Sequence, residues 1–391
     1  MKKAFAFILA AVFALQGCSF PRAYPIESNL NILIAGLDTD ESGDIILTAY
    51  TDTVSPSAKP GEEQISYKLY VATGKTVSEA NSRLHELNEK HLLWYHAKYI
   101  LVGEDAAKRG IDRLFAFFTE DDETKLLFRT AVVKGTTALE FLQIAAEIKS
   151  GVADYLDSLF EDVKNTGKSR EIHLLNYAVN RQIPWNDIFI PEVEIRANPA
   201  APDESGGEDK QNGGERNVIK LNGFALFNQD RLSGFIEDDS AMALNILNNE
   251  LFGAKITVKS NHGNEVSLQI MRCSASFKPE FYPLGVSIEI RAESYFAEFY
   301  DADNLTDRET VDFIKQQQNE LIKNSVEQCI KTMQGLGSDA ACFGDKFYHK
   351  DPIKWRQIKN DWRRIFPDMR FSVKVRSEIL STFELKEPVS G

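Results

Sequence analysis

Strand-length and helix-length apolar patterns alternate along residues 31–148, and this alternation narrows the folds open to the chain more than any other feature. NILIAGLD (31–38) and DIILTAYTD (44–52) read as two strands around the turn DTDESGD, and ISYKLYVATG (65–74) reads as a third. TVSEANSRLHELNEK (76–90) places Val77, Ala80, Leu84 and Leu87 on one helical face and opens with the capping pair Thr76 and Glu79. A buried strand, AKYILVG (97–103), a helix, GIDRLFAFFTED (110–121), another strand, LFRTAVVKG (127–135), and another helix, TALEFLQIAAEI (137–148), follow in turn. Strands alternating with helices predict a mixed sheet covered by helices.

The pattern changes further on. A helical stretch over about 154–180 gives way to the extended PEVEIR (191–196), then to NPAAPDESGGEDKQNGGER (198–216). The proline, glycine and charge content of that segment cannot bury a core, which predicts a flexible linker or loop. Beyond it, VIKLNGFALF and RLSGFI form an expected hairpin, followed by a helix over about 239–251. KITVKS, EVSLQIMRCSASFKP and LGVSIEIRAESYFAEFY predict an antiparallel sheet. Val311, Ile314, Leu321, Ile322, Val326, Ile330 and Met333 mark one face of a long helix over 306–334. A helix over 352–366 and the strand RFSVKVRSEIL close the chain. The fold class is mixed α/β of the α+β kind, multi-domain, with mixed sheets covered by helices and an antiparallel sheet plus long helix in the C-terminal half. The expected division is an N-terminal α/β domain over 29–197, a linker or loop over 198–217, a small hairpin–helix domain over 218–256 and a C-terminal α/β domain over 257–391.

The first residues read as an address. Lys2 and Lys3 form a positive start, residues 4–14 are apolar throughout, and the run ends FALQGCSF (13–20). The apolar stretch is too short to cross a hydrocarbon core of about 30 Å as a helix. Leu15 three before Cys18 and Gly17 just before it resemble a bacterial lipobox. That resemblance implies removal of the signal peptide, residues 1–17, and a lipid on Cys18, which becomes the mature N-terminus. Residues 18–28, with Pro21 and Pro25, form the tether. Two or more acyl chains give stable anchoring where one gives marginal binding.

Loss of Lys2 and Lys3 with the signal deepens the formal net charge from −13 to −15. Such a surface repels nucleic acid and anionic headgroups, so neither is an expected partner of the folded part. No later segment is apolar over the 18 residues or more that a spanning helix needs. Besides Cys18 the chain has Cys273, Cys329 and Cys342, an odd and sparse set that makes no disulfide framework and no zinc spacing. Buried thiols are expected, with a Cys329–Cys342 bridge as the alternative.

Candidate sites are few. Asp38, Asp40, Ser42 and Gly43 fill positions of an EF-hand-type loop, but Ala49 stands where a bidentate glutamate is required, so an acidic hairpin turn is the expectation. Residues 301–312 fail similarly, with Thr306 in place of the turn glycine. His91 and His96 have no carboxylate or thiol completing a metal set, and the acids of TEDDETK (119–125) read as a solvated helix end. WYH (94–96) and KWRQIKNDWRRIF (354–366) offer partner-facing aromatics, although Trp355 and Trp362, seven apart, fit core packing better. There is no G-x-S-x-G elbow, P-loop, H-E-x-x-H or G-x-G-x-x-G after a strand, so no catalytic residue, cofactor or resident metal is assigned and an enzyme is disfavoured.

Taken in order, these landmarks resemble the Ger(x)C family, the lipoprotein C subunits of spore nutrient germinant receptors. The resemblance runs from the lipobox cysteine through NILIAGLDTDESGDIILTAY and GKTVSEANSRLHELNEKHLLWYHAKYILVGEDAAKRGIDRLFAFFTEDDETK. It continues in NGFALFNQDRLSGFIEDDSAMALNIL and in SDAACFGDKFYHKDPIKWRQIKNDWRRIFPDMRFSVKVRSEIL. The chain departs from the family pattern where Ser19 and Phe20 follow Cys18, where Tyr95 precedes His96 and where Glu120 precedes Asp121. The resemblance implies a three-domain α/β protein, lipid-anchored on the outer face of the cell membrane and, in spores, on the inner membrane. It further implies assembly with integral membrane A-type and B-type receptor subunits, no known catalysis and no established cofactor. The alternative is a solute-binding lipoprotein that delivers a small ligand to a transporter, which predicts two similar lobes around a cleft. A cell-envelope hydrolase has no constellation to support it.

Overall fold

A computed structural model describes residues 29–54, 65–88, 90–120, 126–149, 151–198, 216–298 and 307–380. Cys18 with its signal and tether, most of the expected linker, residues 121–125 and residues 299–306 lie outside the described residues.

The first half is built on strands β1 (Asn29–Asn31), β2 (Ile34–Thr39), β3 (Ile45–Val54) and β4 (Ile65–Gly74), then helix α1 (Val77–Leu87) and strands β5 (His91–Leu93) and β6 (Tyr99–Gly103). Helices α2 (Glu104–Arg109) and α3 (Asp112–Glu120) lead to β7 (Arg129–Val133), and helices α4 (Ala138–Ile148), α5 (Val152–Thr166) and α6 (Leu174–Asn180) to β8 (Phe189–Asn198). Strands β9 (Arg216–Lys220), β10 (Gly223–Asn228) and β11 (Arg231–Glu237) come next. Apart from β1 and β5, which pair with each other, all these strands form one nine-stranded sheet in the order β11-β10-β8-β7-β6-β2-β3-β4, with β9 also on β8. Its centre, β2-β6-β7-β8, is parallel and its flanks are antiparallel.

The parallel centre explains the unbroken apolar runs. Successive side chains leave a strand on opposite faces, and a parallel strand is covered on both. Tyr99 and Leu101 of β6 enter the core under α4 and α5, beside Phe141, Leu142, Leu156 and Phe160. Ile100 and Val102 enter the opposite core with Leu84, Leu114, Phe115 and Phe118.

The hairpin expected to open a separate small domain instead extends this sheet. The ends of the expected linker are paired strand residues, Asn198 opposite Arg216, so the polar segment connects β8 and β9 without a break in the sheet. Strand β10 also belongs to two cores. Ala225 and Phe227 face the first-half core, whereas Phe224 and Leu226 join the core of the second half.

That second core lies between helix α7 (Asp238–Leu247), the long helix α8 (Arg308–Leu336) and a four-stranded sheet of β12 (Ala254–Lys259), β13 (Glu265–Phe281), β14 (Leu284–Glu298) and β15 (Arg370–Leu380). Helix α8 starts at Asp307, whose Oδ2 accepts from the Thr310 N–H at 3.0 Å, and ends at Gly337 in the left-handed conformation. The first three strands are antiparallel, as expected, but β15 runs parallel to β14. The reason is topological: a parallel neighbour needs a long crossover, and α8 with the short helices after it supplies one.

The closing helix expected over 352–366 is two short helices, α10 (Pro352–Ile358) and α11 (Trp362–Ile365), joined by a 3₁₀ turn and preceded by α9 (Phe343–Lys350). Trp355 and Trp362 therefore meet from different helices, with ring centroids 5.0 Å apart, and both are buried. Cys273, Cys329 and Cys342 are free thiols, so the possible Cys329–Cys342 bridge is not formed. Burial raises the Cys273 and Cys329 thiols to about 12. The two sheets differ in strand number and order, and the chain has no pair of similar lobes among the described residues.

Candidate functional site

The sequence-predicted sites resolve mostly into structure. Asp38 does not face a loop cation; its Oδ1 and Oδ2 accept from the backbone N–H groups of Ala138 and Leu139 at 2.8 and 3.0 Å and so cap α4. Asp40 is spent within its own turn, accepting from Ser42 Oγ at 2.7 Å and from Asp44 N at 2.8 Å. His91 lies near His85, whereas the exposed His96 packs against Tyr95 at a tilt, with ring centroids 4.0 Å apart, so the two histidines share no site. Trp94 is buried, and its Nε1–H donates to Asn81 Oδ1 at 2.9 Å. Of the WYH triplet, Tyr95 and His96 face solvent.

A concentration of charge on the large sheet is assembled from residues distant in sequence. It grows from β8, which pairs through Phe189–Pro191 with β10, through Glu192 and Val193 with β7, and through Glu194–Asn198 with β9. The register slips by one residue between β9 and β10, so the partner strand bulges opposite Glu192. Glu192, Glu194 and Arg196 alternate along β8 and share a face. Glu237 ends β11 opposite Gly223, and Lys134 follows β7, its N–H bonded to the Val193 carbonyl at 2.9 Å.

Glu192 is fully buried, and its Oε1 has no hydrogen-bond partner among the described residues. Its nearest cation, Lys134 Nζ, is 3.4 Å from Oε2 and is itself paired with Glu237. Arg196 pairs with Glu194 and, through Nη2 at 2.9 Å, with Glu237 Oε2. Ligand oxygens of Glu192, Glu194 and Glu237 lie within 4.8 Å of one another. Burial pushes the Glu192 carboxyl up to about 7, against the pull of Lys134 and with the help of Glu194. Gly223 makes the arrangement possible, because a Cβ there would lie 2.9 Å from Glu192 Oε1 and 2.2 Å from the Ile236 carbonyl. The sequence signal was present in PEVEIR, where charges recur at every second position of a strand that has to be covered on both faces.

A second polar cluster ties the halves together. Asp187, its side chain 2 % exposed, accepts from Gln229 N at 2.8 Å and pairs with Arg363 Nη1 at 2.7 Å through Oδ1, while Oδ2 accepts from Asp339 N at 2.9 Å. Asp339 in turn accepts from the N–H groups of Phe343 and Gly344, both at 2.8 Å, and from Trp362 Nε1–H at 3.0 Å. The chain segment before β8, the β10–β11 turn, the turn after α8 and helix α11 are thereby fixed to one another. This cluster is a clamp: its donors and acceptors are matched internally.

Comparison with known proteins agrees with the order of these elements. Residues 23–195 match the model for a spore germination protein N-terminal domain, and residues 222–382 match the model described as spore germination B3/GerAC like, C-terminal. A putative spore germination protein YfkR of Bacillus subtilis (strain 168) is 25% identical over 305 residues, covering 77% of this chain and 75% of that protein. Spore germination protein KC of the same strain is 21% identical, covering 98% of this chain and 96% of the relative. The crystal structure of the GerBC protein superposes with a TM-score of 0.53 at 15% identity over 88% of this chain and 96% of that one, a likeness of fold. With both halves matched in order and relatives aligned along most of their length, the chain belongs to the GerAC-like family of spore germination proteins.

Proposed function

We propose that this protein is the lipid-anchored C subunit of a spore nutrient germinant receptor, acting by assembly with integral membrane A-type and B-type subunits. The observation that carries the reading is the pair of family matches, one on each half and in the family's order. The sequence around Cys18 supports the anchor: two lysines, an apolar stretch and Leu15-Gln16-Gly17-Cys18. Among the described residues no helix is long and apolar enough to cross a membrane. In this reading residues 1–17 are removed, Cys18 carries the lipid, and residues 19–28 hold the folded part at the outer face of the membrane. The role is structural or regulatory, without catalysis. The domain division follows the sheets: a first domain through β11, and a second from α7 onward joined to it by the shared strand β10.

Metabolic labelling with a fatty acid, followed by membrane fractionation, tests the anchor. The wild-type chain takes up label and sediments with membranes, whereas Cys18→Ala takes up none and leaves the membrane fraction or is lost from it. Label retained by Cys18→Ala would contradict the lipobox reading.

A further inference from the structure

We propose that Glu192, Glu194 and Glu237 form a binding site for one hard divalent cation, which enters by displacing the Lys134 ammonium. The inference is independent of the receptor reading, since the chain alone suffices to show it.

A cluster of acids is not in itself a site, and two features separate this one from a solvated acidic patch. Glu192 is fully buried, its Oε2 has only the 3.4 Å contact with Lys134, and its Oε1 has no partner among the described residues, whereas buried polar groups in folded proteins are nearly always paired. The main chain has also been arranged around it, by a one-residue bulge in the partner strand and by a glycine whose Cβ would press on Oε1 at 2.9 Å.

The balance of charges favours a cation. The cluster holds three carboxylates, Lys134 and Arg196, so one negative charge is left over when all five groups are ionised. Arg196 is tied to Glu194 and Glu237 at the rim. Lys134 is the competing cation: its Nζ lies between Glu237 and Glu192 and over the Phe235 ring at 5.0 Å, and its contact with Glu192, at 3.4 Å, is long. When Lys134 turns out to solvent, three carboxylates and Arg196 leave two negative charges, which one divalent ion neutralises. Asp238, the next acid along the chain, is engaged by Lys168 at 3.0 Å and Asn222 at 3.1 Å, and so does not compete.

Donor chemistry selects the ion class. Carboxylate oxygens without sulfur or imidazole suit calcium, magnesium and manganese. Oxygens within 4.8 Å of one another can share an ion at the about 2.3–2.6 Å typical of calcium, with water completing the shell from the exposed Lys134 side.

The test is calorimetric titration of the full-length chain, purified in detergent, with calcium chloride and separately with manganese chloride. One saturable site per chain is expected. Lys134→Met, which removes the competing ammonium, should bind about tenfold more tightly. Glu192→Gln and Glu237→Gln should each bind at least about tenfold more weakly, with unchanged far-ultraviolet circular dichroism. Should Glu192→Gln fail to fold, Glu194→Gln, nearer the rim, serves in its place. Absence of saturable binding by the wild-type chain overturns the proposal, including the case in which only Lys134→Met binds. Binding that the glutamine variants leave unaltered overturns it as well.

Discussion

Asp187 and Arg363 stand 2.7 Å apart across the junction of the two halves, and the same carboxylate accepts the backbone N–H of Asp339 at 2.9 Å. A residue ahead of β8 is thereby locked to α11 and to the turn after α8. Removing one partner of a buried ion pair leaves the other charge uncompensated, at about 3–5 kcal/mol. Arg363 is 29% exposed, so its half of the loss is screened and the lower end applies. Asp187→Ala is therefore expected to destabilise the protein by about 3 kcal/mol in urea unfolding. A loss under about 1 kcal/mol would mean that the clamp is not coupled to the fold.

Asp339 gives this junction a pH dependence. Burial pushes its carboxyl from 3.8 up to about 7, against the two backbone donors and Trp362 and with the help of Asp187. The folded state thus keeps a proton that the unfolded state has lost. Its contribution is fully present below the unfolded value and disappears as pH rises through the folded one. The unfolding midpoint is expected to fall between about pH 4 and pH 7, and Asp339→Asn, which has no proton to lose, should show a shallower fall. An identical slope in the variant would assign the titration to other groups.

Gly103 and Asp38 form a close packing pair. A Cβ at Gly103 would lie 2.0 Å from Asp38 Oδ1, the atom that caps Ala138 N. Gly103→Ala should cost about 1–3 kcal/mol by forcing that carboxylate aside. Asp38→Ala should cost about 1–2 kcal/mol through the lost cap. The two changes are expected to be less than additive, because the alanine at 38 removes the atom with which the new methyl collides. Strict additivity in a double-mutant cycle would refute the contact.

Gly223 makes a separate prediction for the carboxylate cluster. Its added Cβ would meet the Ile236 carbonyl at 2.2 Å, a backbone atom that cannot turn away. Gly223→Ala should lower the unfolding free energy by about 1–3 kcal/mol. It should do so equally in a Glu192→Gln background, since backbone and not the carboxylate sets the clash. Rescue by Glu192→Gln would show that the carboxylate dominates.

Much of this architecture was legible in the sequence because local pattern and final environment coincide. The apolar run of 99–103 marks a strand buried on both faces, and Thr76 caps α1 as expected, its Oγ1 accepting from Glu79 N at 3.1 Å. What could not be read depends on partners distant in sequence. Nothing local to RFSVKVRSEIL states that it pairs parallel to β14, and nothing in NGFALF states that its alternate side chains serve two cores. The carboxylate cluster draws on residues 134, 192, 194, 196 and 237, which only the sheet order brings together. Asp38 shows the converse: its neighbours in sequence mark an acidic turn, but the backbone donors that this aspartate binds lie 100 residues further on.

Under the proposed function the chain works as one subunit of a membrane receptor. The most direct measurement is affinity purification of the tagged, full-length protein from detergent-solubilised spore membranes, followed by mass spectrometry of what accompanies it. Stoichiometric recovery of two multi-span membrane proteins is expected, lost or strongly reduced with Cys18→Ala. Recovery of the wild-type chain as a free monomer, or in company with a transporter, would contradict it.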